Sequence, residues 1–330
     1  MSYLVTGSSG HLGEALMRTF QARGIAATGL DLKPGRYTDL VGSIADAEVV
    51  DSAVADVTAV LHTATLHKPH VATHTRQDFI DTNITGTLNL LEAAHREGIK
   101  QFVFTSTTST FGAAMRPKVG QPAAWVTEDL RPVPRNIYGV TKVAAEDLCE
   151  LFHRRFKLNV LVLRTSRFFP EEDDDADRRA AFSDPNIKTL EYLNRRVEIS
   201  DVVEAHLCAA QRAVQLGFGR YIISATSPFQ PEDLELLNTD AAAMIERRVP
   251  GVGEAIAKLG WRLPQHIDRV YDNRAAREAL GWTPEYDFER MLQAHVDDAP
   301  IGSQLYREIG RKGYHEEIFE DGPFPVEEES

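Results

Sequence analysis

The chain has very little cysteine. Among its 330 residues only Cys149 and Cys208 carry a thiol. Two cysteines are too few for a disulfide framework, and their spacing matches no zinc-binding motif. Such sparse use of cysteine is typical of a reducing compartment, so we expect neither structural disulfides nor a thiolate metal site.

Long apolar runs are missing as well. A membrane-spanning helix needs roughly 18 or more apolar residues in succession, and no stretch of the sequence approaches that length. The first apolar run begins within a few residues of Met1, which leaves no room for a secretory signal peptide. We therefore expect a cytoplasmic protein that makes no contact with a membrane.

Positive charge is scarce too. The chain carries 36 Lys and Arg against 49 Asp and Glu, a formal net charge of −13. Because binding a nucleic acid requires a basic surface, nucleic acid is not an expected partner. The acidic residues concentrate in Glu171–Asp175 and Glu316–Glu329, and such runs are more typical of solvated surface than of a binding site.

A glycine-rich turn is the first informative motif. The segment Thr6–Gly13, TGSSGHLG, directly follows a short apolar run. Gly7 permits a tight turn, Gly10 lets backbone N–H groups approach a pyrophosphate, and Gly13 lets the next helix pack closely on the sheet. The helix predicted at Leu12–Arg23 would direct the positive end of its dipole at the phosphates. Alone, the pattern also fits an ordinary connection between a strand and a helix.

Asp31 indicates which dinucleotide would bind. It ends the next apolar run, Ile25–Leu30. A carboxylate there accepts hydrogen bonds from both hydroxyls of an adenosine ribose and repels a 2′-phosphate. NAD is therefore favoured over NADP, although Lys33 and Arg36 close by leave NADP open.

Strand-like and helical segments alternate through the first two thirds of the chain. Nearly apolar strands alternating with helices are typical of a parallel sheet covered on both faces, which is a doubly wound α/β (Rossmann) fold. The predicted strands are Tyr3–Thr6, Ala26–Asp31, Asp39–Val41, Ala59–Thr63, Gln101–Thr105, Asn159–Arg164 and Arg220–Ser224. The predicted helices are Leu12–Arg23, Ala47–Val54, Asp78–Glu97, Ile137–Phe156 and Asp201–Gln215.

Beyond Phe229 the strand signal fades, and short helical segments alternate with proline and glycine breaks. We assign residues 1–167 to an NAD-binding Rossmann domain, with 197–225 returning to it. Residues 168–196 and 226–330 are assigned to a smaller, mainly C-terminal cap. That cap would lie beside the carboxyl ends of the strands, where open α/β sheets bind their substrates.

Tyr138 and Lys142 form a candidate catalytic pair. They lie four positions apart in YGVTK, at the start of a predicted helix, and therefore share one helix face. An ammonium beside the phenol oxygen would lower the tyrosine pKa from its usual value of about 10. Tyr138 is thus a candidate general base that takes the proton of an alcohol while hydride leaves the carbon. An unrelated surface tyrosine and lysine would show the same spacing.

Taken together, the motifs resemble those of one family. The glycine turn, the acid ending the second strand, FTSTTSTFG at Phe104–Gly112 and YGVTK occur in the order and spacing of the extended short-chain dehydrogenase/reductase family. Within it, the chain resembles the NAD-dependent epimerase/dehydratase branch, and most of all sugar epimerases of the galactose-pathway type. NITGTLNLLEAA at Asn83–Ala94 and YDNRAAREALGWTP at Tyr271–Pro284 match as well, so the resemblance covers most of the chain.

The resemblance implies roles for particular residues. Thr107 would hydrogen-bond the reacting substrate oxygen beside Tyr138, with Ser106 as the neighbouring candidate, and Lys142 would also hold the nicotinamide ribose. Asn83 would support the backbone of the site. The residues implied to bind NAD are Gly7, Ser9, Gly10, His11, Leu12, Asp31, Ser43, Ile44, Thr63, Ala64, Thr105, Tyr138 and Lys142.

Departures from the family pattern reduce the number of reaction types that fit the sequence. Members that eliminate water carry an acidic residue beside the catalytic hydroxyl, whereas Thr108–Phe111 contain none. Reversible hydride transfer remains, either as epimerisation or as net dehydrogenation. On the substrate side, Arg167 stands where the family usually has Asn, and no nucleotide-gripping glycine-rich segment is recognisable before Asp201. Arg167 suits a carboxylate or phosphate of a smaller substrate, or it is neutralised by the acidic run that follows.

His67, His70 and His74 follow the fourth predicted strand at positions i, i+3 and i+7. Three imidazoles could meet on one face, yet Pro69 interrupts a helix there and hydride transfer needs no metal. We expect no metal site. His67 is a candidate substrate contact, although an ordinary polar loop explains the same residues. Arg195 and Arg196 are a second candidate contact for an anion, although charged residues beside a helix are also ordinary.

Three hypotheses follow for the function. The first is an NAD-dependent, epimerase-like oxidoreductase of a sugar or nucleotide sugar. The second is an NAD-dependent dehydrogenase of a free sugar or sugar acid, and the third is a non-catalytic NAD-binding regulatory protein. The resemblance also implies a homodimer, formed through the helices predicted at Asp78–Glu97 and Ile137–Phe156.

Overall fold

The computed structural model describes residues 2–118, 120–313 and 319. In this part of the chain the strands are β1 (Ser2–Thr6), β2 (Ala26–Asp31), β3 (Leu40–Val41), β4 (Ala59–His62), β5 (Gln101–Thr107), β6 (Ala124–Val126), β7 (Val160–Thr165), β8 (Phe218–Ile223) and β9 (Arg269–Tyr271). Seven of them form one parallel sheet in the order β3–β2–β1–β4–β5–β7–β8. The strand order reverses between β1 and β4, which opens a crevice at their carboxyl ends. The predicted doubly wound fold is confirmed.

Helices cover both faces of the sheet. Those described are α1 (His11–Arg23), α2 (Ala47–Val54), α3 (Arg76–Phe79), α4 (Gly86–Arg96), α5 (Ile137–Phe156), α6 (Ala176–Ala181), α7 (Asp184–Glu191), α8 (Ile199–Leu216), α9 (Leu234–Leu237), α10 (Ala241–Arg248), α11 (Val252–Lys258), α12 (Arg274–Leu280), α13 (Phe288–Val296) and α14 (Gln304–Ile309). On one face, Leu16 and Phe20 of α1 pack with Val202 of α8, and on the other Leu90 of α4 packs with Phe152 of α5. Because both faces are covered, β4 and β7 are buried along their whole length.

The long helix predicted at Asp78–Glu97 is not continuous. It consists of α3, a π-helical stretch at Ile80–Thr85, and α4. Gly86 follows this stretch and packs closely against Ile44, since a Cβ on it would lie 2.5 Å from the side chain of Ile44. Such π-helical turns occur often at functional sites, and this one carries Asn83.

The C-terminal part of the chain has a hydrophobic core of its own. Its buried members include Leu193, Phe229, Ile245, Val270 and Phe288. Two short strands not predicted from the sequence, β6 and β9, pair in parallel within this region. The domain boundaries given above remain a prediction. In the described residues no helix combines the length and the apolar character needed to cross a membrane.

Candidate active site

The carboxyl edge of the sheet opens into a cavity of about 1450 Å³. A pocket for one small molecule usually occupies roughly 300–1,000 Å³, so this cavity has room for a dinucleotide and a second ligand. Every residue predicted to bind NAD or substrate contributes to its wall except Lys142, which lies buried behind it. The structure therefore brings the predicted residues together at one place.

Two positions of the glycine turn have no room for a side chain. Gly7 has a φ of +73°, and a Cβ on it would lie 2.9 Å from the main chain of Ala64. A Cβ on Gly13 would lie 1.9 Å from the carbonyl oxygen of Gly7. The close approach of α1 to the turn therefore depends on glycine at position 13.

We expect Gly13→Ala to abolish or strongly weaken NAD binding, because the added methyl group must push α1 away from the turn. The loss should exceed about tenfold in the dissociation constant, measured by calorimetric titration. Gly253→Ala is the matched control, since its Cβ would meet only the flexible end of Glu246, at 3.1 Å. Equal NAD affinity in both variants would contradict the role given to Gly13.

Asp31 is held at the end of β2 by two main-chain hydrogen bonds. Its Oδ2 accepts the N–H of Ser9 at 2.9 Å and its Oδ1 accepts the N–H of Lys33, also at 2.9 Å. These bonds fix the carboxylate beside the glycine turn. Ser43 and Ile44 line the cavity near the same edge.

The last two residues of β5, Ser106 and Thr107, carry their hydroxyls on opposite faces of the sheet. Ser106 donates to Glu146 at 2.6 Å, whereas the hydroxyl of Thr107 hydrogen-bonds that of Tyr138. Successive side chains of a strand point to opposite faces. Of the two candidate hydroxyls, Thr107 is therefore the one beside the tyrosine, and Ser106 faces away from it.

Tyr138 is buried at the start of α5. Asn136 caps this helix by accepting the N–H of Gly139 at 3.0 Å, which sets the register that turns Tyr138 toward β5. Burial raises the pKa of the phenol to about 12, and the hydrogen bond with Thr107 opposes that rise. The tyrosine is thus protonated at neutral pH in the ligand-free protein.

Lys142 is anchored one helical turn further along α5. Its Nζ donates to the carbonyl oxygen of Thr105 at 2.6 Å and lies 4.0 Å from the centre of the Phe104 ring. Burial lowers the pKa of the ammonium to about 7, and the carboxylate of Glu146 opposes that fall. Lys142 lies on the same side of α5 as Tyr138, as expected. Its hydrogen-bond acceptor, however, is the main-chain carbonyl of Thr105.

Glu146 occupies the next turn of α5 and is 1% exposed. Its carboxylate takes hydrogen bonds from Ser106 and from the guanidinium of Arg164, the latter at 2.7 Å. Arg220 approaches to 3.2 Å. Sequence reasoning missed this buried network, although the i+4 spacing of Glu146 from Lys142 was a usable signal.

The histidines form a fixed pair beside the reacting groups. The N–H of His67 donates to Nδ1 of His70 at 2.9 Å, and the N–H of His70 donates to the carbonyl oxygen of His67, also at 2.9 Å. Burial lowers the pKa of His67 to about 3, so the ring is neutral, and its centre lies 6.3 Å from that of Tyr138. Contact with substrate remains a prediction. In the described residues no group of three potential ligands could hold a metal ion.

Arg167 is already paired. Its guanidinium contacts Asp173 and Asp174, each at 2.9 Å. The structure therefore shows the second of the two interpretations, in which the acidic run neutralises this arginine. A role for Arg167 in binding an anionic substrate remains untested, and it would require these pairs to open.

The sequence suggested that the acidic run Glu171–Asp175 is solvated surface, but part of it is buried. Glu171 is 8% exposed and Asp173 only 3%, because basic side chains surround both carboxylates. Arg178 lies 2.9 Å from Asp173 and His11 lies 2.9 Å from Glu171. The second acidic run, Glu316–Glu329, lies outside the described residues apart from position 319.

Comparison with known proteins decides the family. The chain matches the model of the NAD dependent epimerase/dehydratase family over residues 3–223. The chain belongs to this family. The resemblance inferred from the motifs is confirmed, and NAD is the cofactor.

Individual relatives of this NAD-dependent epimerase/dehydratase protein are distant. The low-salt glycan biosynthesis protein Agl12 of Haloferax volcanii is 28% identical over 322 residues, which cover 90% of this chain and 98% of that protein. UDP-glucose 4-epimerase of Rhizobium leguminosarum bv. trifolii is 24% identical, covering 89% and 96%. A short-chain dehydrogenase/reductase superfamily protein from Agrobacterium tumefaciens with bound NAD shares the fold, with a TM-score of 0.65, 24% identity and coverage of 90% and 96%.

The residues present in this family member fit NAD. No side chain caps the N-terminus of α1, and the positive end of a helix attracts an anion. The glycine turn beside it would be filled by any Cβ at Gly13, and the carboxylate of Asp31, fixed by two main-chain hydrogen bonds, is suited to accept the hydroxyls of an adenosine ribose. We expect these three features to hold the diphosphate and the adenosine ribose.

Proposed function

We propose that the protein is an NAD-dependent sugar epimerase, or an epimerase-like oxidoreductase, that acts on a sugar or nucleotide sugar by reversible hydride transfer. The hydrogen-bonded pair of Thr107 and Tyr138, backed by Lys142, is the observation that carries the proposal. These groups suit reversible movement of one proton at a substrate oxygen.

The chain's own residues handle that proton. Thr107 holds the substrate oxygen by a hydrogen bond, and its own position is fixed because its Oγ1 accepts the N–H of Ser109 at 3.1 Å. Tyr138 takes the proton when the alcohol is oxidised and returns it when the ketone is reduced. The buried ammonium of Lys142 favours the phenolate electrostatically. NAD, when bound, supplies the hydride acceptor and a positively charged ring.

Elimination of water fits this site poorly. It needs a second group that moves a proton, and the residues after Thr107 form a turn of hydroxyls, Thr108–Thr110. Thr110 is fully buried and donates to the carbonyl oxygen of Thr107 at 2.8 Å. The buried carboxylates elsewhere in the cavity wall, Glu171 and Asp173, are held in pairs with basic side chains.

We expect Thr107→Ala to lower turnover about 10²-fold, because the substrate oxygen loses a placed hydrogen bond. Thr107→Ser should keep most of the activity. Ser106→Ala is the matched control: its hydroxyl faces Glu146, so turnover should stay close to that of the parent protein. Steady-state kinetics decide between them, and a larger loss from Ser106→Ala than from Thr107→Ala would refute the assignment.

A second candidate function is dehydrogenation of a free sugar or sugar acid. Its support is Arg167 in the cavity wall, whose guanidinium suits a carboxylate once its pairs with Asp173 and Asp174 open. The absence of a recognisable glycine-rich nucleotide-binding segment before Asp201 adds to that support, because a free sugar or sugar acid needs no such segment.

One experiment separates the two functions. The purified protein is incubated with NAD and a panel of UDP-sugars, free sugars and uronates, and both NADH absorbance and isomer composition are followed. An epimerase gives isomerised product without net NADH. Accumulation of NADH from a free sugar or sugar acid, with no response to UDP-sugars, would overturn the epimerase proposal and establish the second candidate.

We also propose a homodimer formed through α4 and α5. Leu151 and Phe156 of α5 are apolar yet 41% and 42% exposed, and Val140 is 47% exposed. Burying such a face is a common reason for helices to pair between subunits. Light scattering on the purified protein tests the proposal, and a monomer at micromolar concentration would contradict it. A cytoplasmic location stays a prediction.

A further inference from the structure

A segment near the C-terminus, Arg311–Gly313, crosses the mouth of the cavity beside the glycine turn. The Nζ of Lys312 donates to the carbonyl oxygen of Ser9 at 2.8 Å, a contact between residues 303 positions apart. The same ammonium contacts the carboxylate of Glu14. Lys312 and Gly313 both line the cavity that holds the predicted cofactor residues.

The acidic run fixes this segment from the other side. Oε1 of Glu171 accepts the N–H groups of Lys312 and Gly313, at 3.0 and 3.2 Å. Glu171 also lies 2.9 Å from Nε2 of His11, the first residue of α1. The glycine turn, the acidic run and Arg311–Gly313 are thus joined around one point, the N-terminus of α1.

The ammonium of Lys312 is well placed for a diphosphate. It contacts Ser9, just before α1, and Glu14, in the first turn of α1. The N-terminus of this helix has no side-chain cap. The side chain is 22% exposed. An ammonium has three N–H donors; the Ser9 and Glu14 contacts use two of them, which leaves one for a phosphate oxygen.

The local charges favour a cation at this position. A bound diphosphate would bring negative charge to a helix end already flanked by the carboxylates of Glu14 and Glu171. Arg18 lies 2.7 Å from Glu14 but one turn further along α1. Like charges at short range oppose binding, and Lys312 is the cation that contacts both the turn and Glu14.

We propose that Lys312 is a cofactor-binding residue, whose ammonium contacts the diphosphate of NAD at the first turn of α1. The segment Arg311–Gly313 forms the outer wall of this subsite and is held in place by its main-chain hydrogen bonds to Glu171. The inference rests on NAD as the cofactor and does not depend on which sugar reaction the protein catalyses.

Calorimetric titration of Lys312→Met with three ligands tests this inference. The dissociation constants of NAD and ADP should rise about tenfold, the effect of losing one charge-assisted contact. Adenosine carries no phosphate, so its affinity should not change. The NAD affinity of the variant should also depend less on salt concentration than that of the parent protein.

Two further variants complete the test. Lys312→Arg keeps the charge and should restore most of the NAD affinity. Lys258→Met is the matched control, because Lys258 also donates to a main-chain carbonyl, that of Val296 at 3.2 Å, but does not line the cavity. Unchanged NAD affinity in Lys312→Met would overturn the proposal. An equal loss for ADP and adenosine would overturn it too, since Lys312 would then support only the shape of the pocket.

Discussion

Tyr138→Phe is expected to lower turnover about 10²- to 10⁴-fold, the usual contribution of a placed general acid–base group. Phenylalanine keeps the buried ring but has no proton to exchange with the substrate oxygen. Tyr138 is one predicted NAD contact among many, and the glycine turn and Asp31 are unaffected, so the dissociation constant of NAD should change far less than turnover. Turnover is measured with the substrate found in the sugar panel, and NAD binding by calorimetry.

The pH dependence of the parent protein sharpens this test. Burial holds the pKa of Tyr138 at about 12 in the ligand-free protein, so the phenolate fraction increases with pH throughout the neutral range. Oxidation of the alcohol should therefore accelerate as pH rises, until Lys142, whose pKa is about 7, loses the proton that favours the phenolate. Tyr138→Phe should lose the rising part of that profile. A variant with unreduced turnover would remove Tyr138 from the mechanism, whereas a parent protein that binds NAD and turns over no sugar would favour the regulatory hypothesis.

Local sequence was sufficient where one short segment carries all the information. The glycine turn lies between a strand and a helix within a few residues, and Tyr138 and Lys142 share one face of α5 through helix geometry alone. The choice between Ser106 and Thr107 needed the structure, because the alternation of β5 becomes decisive only once Glu146 and Tyr138 lie on opposite sides of it.

Other contacts needed the structure. For Arg167 the sequence left two interpretations open, a guanidinium available to an anionic substrate and one neutralised by the acidic run that follows, and the structure shows the second. Lys312 gave no local signal at all. It becomes part of the cofactor site only because the chain returns to Ser9 after 303 positions.

Glu146→Ala is expected to destabilise the protein by about 3–5 kcal/mol, because it leaves a buried cation without its partner. Arg164 is 3% exposed and Glu146 is 1% exposed, so water cannot replace the lost carboxylate. Glu150→Ala is the matched control: it lies one turn further along α5, also contacts Arg220, at 2.9 Å, and is 34% exposed. An exposed pair of this kind contributes about 1 kcal/mol or less. Urea unfolding measures the free energy of unfolding of both variants. Equal losses of stability would contradict the argument from burial.

Loss of the Glu146 carboxylate is also expected to affect the active site, because it changes the pKa of Lys142. The carboxylate of Glu146 is the group that opposes the burial-driven fall of the Lys142 pKa to about 7. Without it, the pKa of Lys142 falls further, and the ammonium loses its proton at a lower pH. Glu146→Gln keeps the shape of the side chain and a hydrogen-bond acceptor. As pH rises, the activity of this variant should therefore fall at a lower pH than that of the parent protein, while Ser106→Ala should not shift the pH profile. Glu146 is thus expected to act as a positioning residue that keeps the catalytic lysine cationic, and an unshifted profile would restrict its role to stability.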